Sequence, residues 1–72
     1  MKAAEIRKLS TEEIEARLAE AREELMHLRF QKTTGELVDT NAPRRTRRLI
    51  ARYLTILRER ELEEALAEEG EA

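Results

Sequence analysis

Residues 10–35 read STEEIEARLAEAREELMHLRFQKTTG, and within them Ile14, Leu18, Ala21, Leu25 and Leu28 recur at alternating intervals of four and three. At about 3.6 residues per turn that spacing stacks all five side chains along one narrow arc of an α-helix, the seam of a coiled coil. The stretch also carries its own start and stop. Ser10-Thr11-Glu12-Glu13 is a capping box, in which the Ser10 hydroxyl accepts from the Glu13 backbone N–H and the Glu13 side chain reaches back. Glu13 and Arg17 stand at the favourable i, i+4 spacing on the flank. Thr33-Thr34-Gly35 is poor helix material followed by a permissive glycine. The reading predicts helix one over about 11–33.

Outward from there, residues 34–43 hold Asp39, Asn41 and Pro43 and read as a connection. Pro43 suits the first position of a second helix, where its missing N–H costs nothing. That helix is predicted over about 44–66, with Thr46, Ile50, Leu54 and Leu57 on one face, Tyr53 beside them, and Arg44, Arg45, Arg48 and Arg52 on the opposite face. A connection this short makes the two helices antiparallel neighbours. Ala3–Lys8 is predicted as a short helical turn, and 67–72 as an acidic tail, mobile from Glu68 on. The expected fold is therefore all-α, a coiled-coil-like antiparallel two-helix hairpin in a single domain, with a short N-terminal helical turn. Its expected core is Ile14, Leu18, Ala21, Leu25 and Leu28 against Ile50, Tyr53, Leu54 and Leu57. Met26 and Phe30 on helix one, and Leu49 and Ile56 on helix two, exceed what two helices can cover and are expected to face a partner.

Composition agrees. The 72 residues are 42% charged and 3% aromatic, with two Gly and one Pro, as long helices with few loops require. So small a hairpin buries little and leans on a partner. The absence of Cys rules out disulfides and thiolate metal sites. No apolar run approaches the ~20 residues that cross a bilayer, and MKAAEIRK lacks a signal-peptide core, so a cytosolic protein with no membrane partner is expected. The net charge of −2 averages opposed blocks. Residues 44–60 carry seven Arg against Glu59, whereas 61–72 carry six Glu and nothing basic. Such asymmetry points to a polyanion-binding region joined to an acidic end.

Guanidinium groups stay charged and fork onto phosphate oxygens, so Arg44, Arg45, Arg47, Arg48 and Arg52 form the foremost RNA-contacting patch. Lys32, Thr34 and Gln31 lie at the hairpin turn near that patch, and Lys2, Arg7 and Lys8 make a second basic group. A helix cannot enter the deep, narrow major groove of A-form RNA, so recognition would be of backbone and shape. From the residues alone, the arginine face reads equally as a solvated surface. His27 is the sole histidine, placed i, i+4 from Glu23, and is read as a surface residue with no metal. There is no Ser–His–acid or Cys–His set and no glycine-rich phosphate loop, so neither enzymatic activity nor a cofactor is expected. A coiled-coil protein–protein interaction module is the alternative. A DNA-binding regulator would need a helix-turn-helix, with helices crossing steeply.

Several strings resemble the bacterial ribosomal protein L29 family of the large subunit. They are Met1-Lys2-Ala3 with Glu5-Ile6-Arg7 and Leu9-Ser10, Leu25-Met26-His27-Leu28-Arg29-Phe30-Gln31, Thr34-Gly35-Glu36-Leu37, Arg47-Arg48-Leu49-Ile50-Ala51-Arg52, and Thr55-Ile56-Leu57-Arg58-Glu59-Arg60. Their order and spacing span residues 1–61. The resemblance implies a helical hairpin bound to large-subunit rRNA near the nascent-chain exit tunnel, beside ribosomal protein L23. It also implies a place in the surface where signal recognition particle and trigger factor dock. The chain departs from the family pattern in two places. Asp39-Thr40 replaces an Asn-Pro pair, and Ala42-Pro43-Arg44 replaces a basic–apolar–basic triplet. The Glu-rich end is also unusual for a generally basic family.

Overall fold

The structure, a computed structural model, describes residues 1–71. Three helices follow one another: α1 (Ala3–Ile6), α2 (Thr11–Thr34) and α3 (Ala42–Glu71). The chain is all-helical, and α2 and α3 pack side by side as an elongated hairpin of 56 × 19 × 16 Å.

The ends of α2 are set by local chemistry. Ser10 has extended backbone, and its hydroxyl accepts from the Glu13 N–H at 3.2 Å. At the other end the chain turns at Gly35 with φ 79°, in the left-handed region. The Gly35 N–H then donates to the Lys32 carbonyl and the Glu36 N–H to the Gln31 carbonyl, the paired bonds of a Schellman motif. In the connection, the Asn41 N–H donates to Asp39 Oδ1 at 3.0 Å, closing an Asx turn. The Asn41 carbonyl accepts the first bond of α3 from the Arg45 N–H.

Ile14, Leu18, Ala21, Leu25 and Leu28 are all buried on α2. The face that α3 presents to them differs from the one expected. Tyr53 and Ile56 are buried, and Leu49, Ile50 and Leu57 pack half-buried around them. Ile56, expected to face a partner, is 2% exposed, and Leu49 packs against the core. Leu54, expected in the core, is 42% exposed. The helix is turned by roughly three-quarters of the ~100° that separates successive residues. The cause lies in α1. Ile6 is fully buried in the same cluster as Ile14, Tyr53 and Ile56, and Ala3 and Leu9 pack onto it. Burying Ile6 and the large Tyr53 ring removes more apolar surface than burying Leu54 would.

Arg60 completes that arrangement. Its Nη1 donates to Thr11 Oγ1 at 3.0 Å, and its Nη2 to the carbonyls of Arg7 at 3.1 Å and Leu9 at 2.7 Å. The joint between α1 and α2 leaves these carbonyls without helical partners, and one guanidinium satisfies them. Arg7 pairs with Glu59 at 3.2 Å beside it.

Helix bounds also shift. The N-terminal turn is helical only to Ile6, and α2 runs one residue further, to Thr34. The second helix begins at Ala42, so Pro43 lies within its first turn, where its missing N–H is still harmless. Residues 67–71, expected as an acidic tail beyond the helix, continue α3. Ala and Glu are strong helix formers there, although the short apolar pattern argued for a stop. Ala72 of the expected tail lies outside the described residues.

Candidate nucleic-acid interface

α3 carries seven arginines between residues 44 and 60, and the turn of the helix sorts them into groups. Arg44, Arg47 and Arg48 are exposed and, among the described residues, make no hydrogen bond or ion pair. They point away from α2, and their fork geometry is free for phosphate oxygens.

Arg45 and Arg52 flank that face and are engaged within the chain. Arg45 pairs with Asp39. That hydrogen bond, helped by the Asn41 N–H, holds the Asp39 carboxyl below its ordinary pKa of 3.8. Arg45 therefore ties the connection to the first turn of α3. Arg52 Nη1 donates weakly, at 3.5 Å, to the Met1 carbonyl. Arg45, Arg48 and Arg52, spaced 3 and 4 along one side of α3, line a shallow cleft of about 370 Å³ with Met1, Thr46 and Leu49. The contact with Met1 brings the chain's start, with Lys2 next to it, to the arginine helix.

The remaining expected contact residues are distributed along the rod. Arg7 is occupied by Glu59, whereas Lys2 and Lys8 are exposed. Gln31, Lys32 and Thr34 are exposed at the end of α2. The Thr34 hydroxyl donates to the Gln31 carbonyl, which also accepts from Glu36 and Leu37. Among the described residues, no hydrogen bond joins this group to the α3 arginines.

Sequence reasoning passed over Arg58. It is exposed on the outward side of α3 and lines a groove with Ala51, Leu54 and Thr55. Once Tyr53 and Ile56 are taken as the buried side, Arg58 falls on the face of Arg44 and Arg47, three to four turns further along. That indexing is the signal that would have found it. Arg60, by contrast, is a structural arginine. Met26 and Phe30 stand outside the core, 71% and 67% exposed, one turn apart on α2. His27 lies 3.9 Å from Glu23, and both are exposed. Among the described residues no three metal-ligating side chains converge, and no helix is long and apolar enough to cross a membrane.

Fold and face define a helical hairpin that presents an extended, arginine-bearing surface. The pattern of the family described as "Ribosomal L29 protein" matches residues 4–60. The large ribosomal subunit protein uL29 of Roseiflexus castenholzii is 56% identical over 62 residues, 86% of this chain and 94% of that one. Its counterpart in Staphylococcus haemolyticus is 52% identical over 67 residues, 93% and 97% of the two chains. That of Chloroflexus aurantiacus is 54% identical over 65 residues, 90% and 96%. The chain belongs to the ribosomal L29 protein family, and it is not an enzyme.

Proposed function

We propose that this protein takes its place in the large ribosomal subunit by laying the outward face of α3 along the phosphate backbone of rRNA. Membership of the family makes it a structural constituent of that subunit in the cytoplasmic ribosome. The finer reading rests on one observation: Arg44, Arg47 and Arg48 are presented together with no partner among the described residues. Desolvating three guanidinium groups is favourable only where anionic oxygens replace the displaced water. Arg45 and Arg52 add charge to the same end of the helix, Lys2 extends it from the chain's start, and Gln31, Lys32 and Thr34 extend it across the turn. Met26 and Phe30 give an apolar strip suited to a protein neighbour.

The setting that goes with this reading is the rim of the nascent-chain exit tunnel, beside ribosomal protein L23, where signal recognition particle and trigger factor dock. It is supported by the family resemblance of residues 1–61.

Binding of the free protein to large-subunit rRNA fragments tests the arginine assignment. Replacing Arg44, Arg47 and Arg48 together by Ala should flatten the dependence of log affinity on log salt by about 0.7 for each phosphate that is no longer neutralised. An unchanged slope would reject it.

A further inference from the structure

We propose that Asp39 is an intrachain stand-in for an rRNA phosphate: its carboxylate holds the Arg45 guanidinium until a backbone phosphate displaces it. The exchange deepens the proposed rRNA contact and rests on it.

The turn before α3 sets Asp39 in place to hold an arginine. Its Oδ1 accepts from the Asn41 N–H at 3.0 Å, and its carbonyl accepts from the Ala42 N–H at 3.2 Å. The carboxylate is thereby fixed just ahead of α3, and its other oxygen, Oδ2, accepts from Arg45. α3 has no acidic residue in its first turn, where Arg44 and Arg45 stand. A helix N-terminus favours negative charge, and Asp39 supplies it from outside the helix. A phosphate on Arg45 would meet the same guanidinium at the same helix end. Carboxylate and phosphate are therefore alternatives for one place.

The arginine held in this way belongs to the basic face. Arg45 lines the cleft of α3 with Arg48 and Arg52. Among the described residues it is the one arginine between 44 and 52 that a carboxylate holds. The side chains of Arg45 and Asp39 are 63% and 51% exposed, and an ion pair so open to water is weak. A polynucleotide phosphate has two advantages over it. Its neutralisation releases condensed counterions, and its neighbours on the strand engage Arg44, Arg47 and Arg48 at the same time.

Affinity of the full chain for large-subunit rRNA fragments, measured against salt, tests the exchange. Asp39→Asn keeps an amide oxygen for the Asn41 N–H and removes the charge that competes for Arg45. It should bind roughly twofold to fivefold tighter, the span of an exposed ion pair that no longer has to be broken, with the salt slope of wild type. Arg45→Ala should flatten that slope by about 0.7, the loss of one phosphate contact. Glu36→Gln is the control for charge alone, since Glu36 is exposed on the same connection and, among the described residues, pairs with no arginine. Added to Arg45→Ala, Asp39→Asn should gain no more than Glu36→Gln gains in wild type.

A gain from Asp39→Asn no larger than that from Glu36→Gln would overturn the proposal, as would a gain that persists undiminished without Arg45. A slope steeper by about 0.7 in Asp39→Asn than in wild type would also overturn it, because wild-type Arg45 would then have stayed on Asp39 in the complex. The Arg44→Ala, Arg47→Ala, Arg48→Ala variant separates this proposal from the reading beneath it. If that variant flattens the slope and Arg45→Ala does not, the exchange fails and the arginine face stands. If neither flattens it, the rRNA contact itself fails.

Discussion

Arg60 and Arg45 show how differently two arginines of one helix are used. Arg60 is half-buried and donates to two backbone carbonyls and a hydroxyl at the α1–α2 joint. Removing it leaves those acceptors short of a partner, at Thr11 and Leu9 in partly buried positions. Arg60→Ala should lower stability by about 1.5–3 kcal/mol, the range for hydrogen bonds to a charged group, measured by urea denaturation. Arg60→Lys should recover part of this only, because one ammonium cannot reproduce the planar fork. Arg45 instead works on an exposed carboxylate. Asp39 has its pKa lowered chiefly by the Arg45 hydrogen bond, so its ionised form favours the folded connection. This contribution is present above pH 3.8 and is lost as pH falls through the lower folded value. In Arg45→Ala, NMR titration should find the Asp39 carboxyl raised toward its ordinary value, with the Asn41 N–H still holding part of the shift. A carboxyl still depressed by as much as before would mean that the backbone N–H groups, and not Arg45, hold it.

At the scale of the element, α2 was legible in the sequence and the orientation of α3 was not. Each apolar residue of the α2 seam fits a single register, and its boundaries are written in Ser10 and Gly35. α3 carries two overlapping registers. Thr46, Ile50, Leu54 and Leu57 make one, and Leu49, Tyr53, Ile56 and Arg60 make the other, at intervals of four and three. The choice between them is made by Ile6 and by the carbonyls of the α1–α2 joint, more than 45 residues away in sequence. Periodicity within one helix carries no record of such a contact. Substitutions separate the registers directly. Ile56→Ala should destabilise by about 2–5 kcal/mol, enough to unfold much of so small a protein, whereas Leu54→Ala should cost under about 1 kcal/mol. Comparable losses at both positions would indicate the other register. Gly35 makes a separate case. Added bulk there would meet nothing within 4 Å, so Gly35→Ala should cost only the left-handed backbone penalty, about 1–2 kcal/mol by thermal denaturation.

The whole molecule is a thin rod of 56 × 19 × 16 Å with little interior, and the proposed rRNA contact therefore belongs to its surface. The sequence showed which arginines cluster. It could not show which are free, because pairing with Asp39, Met1 and Glu59 depends on where the connection and the chain's start come to rest. Among the described residues, three of the five foremost arginines remain unpartnered, and those three make the central claim testable in cells. The measurement is co-sedimentation of the Arg44→Ala, Arg47→Ala, Arg48→Ala chain with large subunits through a sucrose gradient, beside wild type, at rising salt. Backbone neutralisation by these side chains predicts that the variant leaves the particle at distinctly lower salt than wild type. Equal retention across the whole salt range, with the helices of the variant intact, would contradict it.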